Sequence, residues 1–115
     1  MNSEEYDKLS DEEKRIKVAE FDGWTEAKAY PPETWAGQRV IYVIGTSPVG
    51  MNGQLVPDYL NDLNVCHEFE KVLTVVQAIQ YDRRLQFLCD VDGDYFWNAT
   101  AAQRCKAFCI TMEAE

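Results

Sequence analysis

The chain has 115 residues, room for one domain, and with 46% apolar and 12% aromatic residues it is too rich in large rings to be disordered throughout. Eleven Lys and Arg stand against 20 Asp and Glu, a net charge of −9. That field repels a phosphate backbone, so direct nucleic-acid binding is disfavoured and a protein with a basic surface is the expected partner. No apolar run approaches the roughly 18 residues of a membrane span. Met1-Asn2-Ser3-Glu4-Glu5 also lacks the basic and apolar regions of a signal peptide, so the expected location is the cytoplasm, with no membrane partner.

Residues 1–9 are polar and acidic and are expected to form a flexible N-terminal segment. Residues 10–115 are expected to form a single α+β domain. Ser10-Asp11-Glu12-Glu13 is a capping box, and it predicts a helix over 11–22 that Gly23 ends in a left-handed conformation. Ile16, Ala19 and Phe21 should face inward, with Trp24 folded back on the last turn.

Pro31 and Pro32 force an extended path through 25–38. Residues 39–44, rich in β-branched side chains, read as a strand. Gly45 to Gly53 reads as a loop, so an extended loop insert is expected around 31–54. A second helix is expected from the Asn61 cap, with Val65, Phe69, Val72 and Val76 on its inner stripe and Leu63, Cys66 and Leu73 widening it.

Leu85, Phe87, Cys89 and Val91 alternate with Gln86, Leu88 and Asp90, and Asp92-Gly93 follows. The pattern predicts a β-hairpin over 85–99. Thr100-Ala101-Ala102-Gln103 is a second capping box, opening a helix with Ala101, Cys105, Phe108 and Met112 inward and Ala102 and Cys109 alongside. The expected fold is a small antiparallel sheet of about three strands packed with three helices, an α/β sandwich.

Residue types that carry chemistry are sparse. The one histidine, His67, is read as a surface residue. A hydrolytic site joining it to Ser47 or Cys66 is the weakest reading, because no nucleophile-elbow pattern surrounds Ser47. Cys66, Cys89, Cys105 and Cys109 lack a C-x-x-C pair and read as buried thiols rather than as zinc ligands or disulfides. No metal and no cofactor is expected.

Three stretches in order resemble the phage ABA sandwich domain, a family of small bacteriophage and prophage accessory proteins. They are 18–24 (Val-Ala-Glu-Phe-Asp-Gly-Trp), 56–64 (Val-Pro-Asp-Tyr-Leu-Asn-Asp-Leu-Asn) and 95–102 (Tyr-Phe-Trp-Asn-Ala-Thr-Ala-Ala). The insert at 31–54 is longer than the family's usual link. The resemblance implies a phage-encoded accessory protein and transfers no catalytic residues.

The expectation is therefore a non-enzymatic binding protein that inhibits or sequesters a host factor, a component of an antiviral defence system. Glu4, Glu5, Asp7, Asp11 and Glu12 would meet a basic partner, with Trp35 and Tyr42 as aromatic anchors. The alternative is an oligomeric sponge for a small signalling nucleotide. Arg39, Lys71, Arg83 and Arg84 would then face phosphate, and Tyr59 would stack on the base.

Overall fold

Helix starts in this chain are set by side chains that satisfy the free N–H groups of a first turn. The computed structural model describes residues 2–35, 38–93, 95 and 98–114, and within 30–42 it describes the backbone alone. Among them it forms five helices, α1 (Ser3–Asp7), α2 (Asp11–Phe21), α3 (Leu63–Glu70), α4 (Val75–Asp92) and α5 (Ala101–Glu113), and three strands, β1 (Thr25–Trp35), β2 (Gln38–Thr46) and β3 (Gln54–Leu55). The fold is α+β, with one antiparallel sheet in the order β1-β2-β3.

The capping boxes at Ser10 and Thr100 both close as the sequence predicts. A third, Thr74 with Gln77, opens α4. At the end of α2, Gly23 adopts φ +103°. There the Gly23 N–H donates to Glu20 O at 3.3 Å and the Trp24 N–H donates to Ala19 O at 2.9 Å. This paired closure leaves Trp24 buried against the helix.

The expected segment boundaries change in four places. The N-terminal nine residues, read as flexible, carry α1, capped by Asn2 and burying Tyr6. The expected loop insert at 31–54 is mostly strand, because β1 runs through the prolines to Trp35 and pairs with β2. Its register slips between Tyr30 and Glu33, the span that holds Pro31 and Pro32, so the missing N–H groups fall where the ladder is already broken.

The long second helix is two helices. α3 ends at Glu70 and α4 starts at Val75, which leaves Val72 and Val76 exposed. Finally, the predicted hairpin is absent. Residues 85–92 continue α4, and Gly93, at φ +79°, is its left-handed cap rather than a turn between strands. Of the second arm, the described residues Tyr95, Asn98 and Ala99 are not in a strand.

The core closes around α5, which packs against α1, α2, α3 and α4. Phe108 stacks on Phe69 with ring centres 4.3 Å apart and meets the edge of Phe21 at 6.3 Å. Ala101, Cys105, Ala107, Cys109 and Thr111 are also buried on this helix. The sheet lies against α2, with Val43 and Trp24 entering the core. All four cysteines are buried and none is in a disulfide.

Two glycines hold positions that a side chain would oppose, Gly45 by close approach and Gly93 by its backbone. A Cβ on Gly45 would meet the Ala27 Cα at 3.0 Å and the Thr25 carbonyl oxygen at 3.1 Å, so Gly45→Ala should cost about 1–3 kcal/mol. Gly93→Ala should cost about 1 kcal/mol through its left-handed backbone alone. Urea unfolding followed by circular dichroism checks both; a hairpin turn at Gly93 would instead predict a loss of strand signal with helix content intact.

Candidate functional site

Two short capped helices bring the chain's acidic start to one edge of the molecule. Asn2 Oδ1 accepts from the Glu5 N–H at 2.9 Å, and Ser10 Oγ accepts from the Glu13 N–H at 3.2 Å. Glu4 and Glu5 thus occupy the first turn of α1, and Asp11, Glu12 and Glu13 that of α2. Carboxylates there are favoured by the positive end of each helix dipole.

Beneath this edge lies a cleft of about 310 Å³. Tyr6 and Asp7 of α1, Asp11 and Lys14 of α2, Leu60 and Asn61 of the turn before α3, and Lys106 of α5 line it. Lys106 Nζ donates to Asp7 at 2.8 and 3.0 Å and ties α1 to the last helix. Lys14 Nζ stands 5.0 Å from the centre of the Tyr6 ring, a cation–π contact.

The turn that carries Leu60 and Asn61 into the cleft is held through its neighbour Tyr59. Tyr59 is fully buried, and its hydroxyl donates to Asp22 Oδ2 at 2.8 Å. Its carbonyl accepts from two thiols, Cys66 Sγ at 3.3 Å and Cys105 Sγ at 3.1 Å. These bonds fix the turn that presents Leu60 and Asn61. Burial pushes the Asp22 carboxyl above its ordinary value, and the Tyr59 hydroxyl draws it partly back. Burial also pushes the Cys109 thiol up to about 12, so that sulfur is a packing group rather than a nucleophile.

A second polar cluster joins α3 to α5. Glu70 accepts from Arg104 Nη1 at 3.1 Å and lies 3.0 Å from the ring nitrogen Nδ1 of His67. The Tyr81 hydroxyl is buried beside this pair, and its phenol is pushed well above the ordinary range, first by burial and then by Glu70. Arg104 Nε also donates to the Ala99 carbonyl at 3.4 Å. The arrangement works as a brace between helices.

The sequence-predicted residues separate into groups. Glu4, Glu5 and Asp11 are exposed and Glu12 is half-buried, while Asp7 and Asp11 enter the cleft. Trp35, Arg39 and Tyr42 lie on β1 and β2, with side chains outside the described residues. Tyr59, expected to stack on a base, is a core ring and is not open to a ligand. Lys71 is paired with Glu68 at 3.2 Å at the end of α3.

Arg83 and Arg84 share a different wall, a groove of about 420 Å³ also lined by Phe87, Leu88 and Ile110. Lys71 does not line it, so the expected cationic set is divided. Ser47 Oγ accepts from the Met51 N–H at 3.1 Å, and Cys66 serves Tyr59. Among the described residues no hydrogen bond joins His67 to either of them, and no group of three His, Cys, Asp or Glu could hold a metal ion.

Sequence reasoning missed Lys106 and Lys14 as members of the cleft. Lys106 meets Asp7 across 99 positions of chain, and no local pattern signals such a pair. On α2, Lys14 stands three residues after Asp11, and that spacing was a usable signal for this pair alone.

Comparison with protein families, with curated proteins and with solved structures finds no match. Among the described residues no helix is long and apolar enough to cross a membrane.

Tyr59→Phe removes the one hydrogen bond that lowers the Asp22 pKa, so carboxyl NMR titration should show that pKa rising further. The folded protein holds this proton more tightly than the unfolded chain. Asp22 therefore destabilises the fold above its raised pKa, and this cost disappears as pH falls towards the ordinary 3.8. Asp22→Asn should remove that part of the pH dependence. Tyr6 offers the opposite test: its hydroxyl is buried with no hydrogen-bond partner, so Tyr6→Phe should leave stability unchanged or raise it by about 1 kcal/mol in urea unfolding.

Proposed function

We propose that the chain is a non-enzymatic, phage-encoded binding protein that inhibits or sequesters a host factor, a component of an antiviral defence system, in the cytoplasm of the host cell. The observation that carries the binding reading is the state of the acidic edge. Of Glu4, Glu5, Asp7, Asp11 and Glu12, only Asp7 is held by a cation of the chain among the described residues. Four carboxylates on adjoining helix starts are thus left to face a basic surface, which they would steer and align. Trp35 and Tyr42 are the proposed aromatic anchors. The phage origin rests on the resemblance of 18–24, 56–64 and 95–102 to the phage ABA sandwich domain.

The test neutralises Glu4, Glu5, Asp11 and Glu12 together as Gln or Asn and leaves Asp7 with Lys106, so that α1 stays docked. Capture of a host protein from bacterial lysate should fall about tenfold or more at physiological salt, with the circular dichroism spectrum unchanged. Equal capture by the neutralised and native proteins would remove the electrostatic reading.

Sequestration of a small nucleotide is the second reading. It is favoured by one observation, that Arg83, Arg84 and the exposed Phe87 line the same groove. A nucleotide bound there should raise the melting temperature of the native protein and not of Arg84→Ala; a panel in which none does so counts against it.

A further inference from the structure

Helix α4 is apolar on two opposite sides. Tyr81, Leu85 and Cys89 recur every fourth residue and are buried. At about 100° per residue, Val76, Ile79, Arg83, Phe87 and Asp90 fall within an arc of about 80° on the opposite side. Val76 is 61% exposed, Ile79 50% and Phe87 67%, and Val91, about 40° beyond the arc, is exposed as well. Scattered exposed apolar residues are ordinary, but a row of them along one helix face is the mark of a surface that packs on something.

The charges in the row decide what that is. Arg83 and Asp90 lie on either side of Phe87, about 6 Å and about 4.5 Å away along the helix axis. They are too far apart to meet each other, and neither has an ion-pair partner among the described residues. Reversing the helix about Phe87 exchanges the two positions. A second copy of α4, laid antiparallel across the first with a two-fold axis at Phe87, sets Arg83 of each copy opposite Asp90 of the other.

We infer that this chain associates as a two-fold dimer through α4, with the two Phe87 rings in contact at the axis and two Arg83–Asp90 pairs flanking them. A two-fold interface must be self-complementary in this way. The alternative antiparallel register, centred on Arg83, covers Val76 with Val91 but sets guanidinium groups against each other, and charge selects the register at Phe87. In this register Ile79 and Val76 lie about 4.5 Å and about 9 Å past the last residue of the second copy's α4, so Phe87 and the two charge pairs carry the helix contact. Asn2 and Ser3 at the start of α1 border the groove that Arg83 and Phe87 line, so the dimer face adjoins the acidic edge. The α4 variants leave Glu4, Glu5, Asp11 and Glu12 in place, and the neutralised acids leave Arg83, Phe87 and Asp90 in place, which keeps the two readings distinguishable. Repulsion between two chains of charge −9 is largely screened beyond about 8 Å at physiological ionic strength.

Sedimentation equilibrium of the full chain at physiological salt should report a species of twice the 13.2 kDa chain mass. Arg83→Glu and Asp90→Lys should each weaken association about tenfold or more, since either change sets like charges together twice. The double variant R83E/D90K restores both pairs with reversed polarity and should recover association to within about threefold of the native protein. Phe87→Glu should be monomeric with native helix content by circular dichroism. A native chain that stays monomeric at high micromolar concentration overturns the inference and assigns the α4 row to a different protein. Single variants without effect, or a charge swap that fails to recover, would also overturn it.

Discussion

Phe108 is the point through which the helical half of the molecule is held. Its ring lies flat on Phe69 of α3 and against the edge of Phe21 of α2, so one side chain of α5 fixes two other helices. The rest of the buried face of α5 is small: Ala101, Cys105, Ala107, Cys109 and Thr111. Small residues let neighbouring helices approach closely, and the single large ring then sets their spacing. A domain of this size has one core and little redundancy, so each other feature inherits its position from this packing. The cleft is an example, because Lys106 sits on the same helix two residues before Phe108 and reaches Asp7 from there.

Polar groups in this core are used as fasteners. The Tyr59 carbonyl takes two thiol donors while the Tyr59 hydroxyl serves Asp22. The turn that carries Leu60 and Asn61 is therefore held from three directions without regular secondary structure. Cys66 and Cys105 act here as small apolar residues that can still donate a weak hydrogen bond. The hydrogen-bonding contact with Cys66, and after it burial, hold the Cys105 thiol in its protonated, donating form.

What could be read from the sequence was mostly local. Ser10-x-x-Glu13 and Thr100-x-x-Gln103 announce their helices because a capping box is a contact between residues three apart. Gly23 announces a stop for the same reason. Thr74-x-x-Gln77 carried an equal signal, but the apolar residues 65, 69, 72 and 76 keep helical spacing straight across the break and mask it. β1 was hidden by Pro31 and Pro32, whose disruption is absorbed by a slip in register that depends on the partner strand. Of the candidate site, the acids were legible, being contiguous. Lys106 was not, since Asp7 and Lys106 are neighbours only after the core has formed.

The misread hairpin and the unpaired row on α4 have one cause. Leu85, Phe87, Cys89 and Val91 alternate because two apolar faces of one helix interleave: 85 and 89 belong to the buried side, 87 and 91 to the exposed one. An ordinary surface helix has polar residues at 87 and 91, and the period-two pattern would not arise. Asp92-Gly93 completed the impression, since a left-handed glycine closes a helix as readily as it turns a hairpin. The false strand signal thus records a real property of the sequence, a helix with apolar residues on the side turned away from its own core. The sequence carries that second face at the cost of exposing Phe87 and Val91 to water, a cost that burial against another surface would remove.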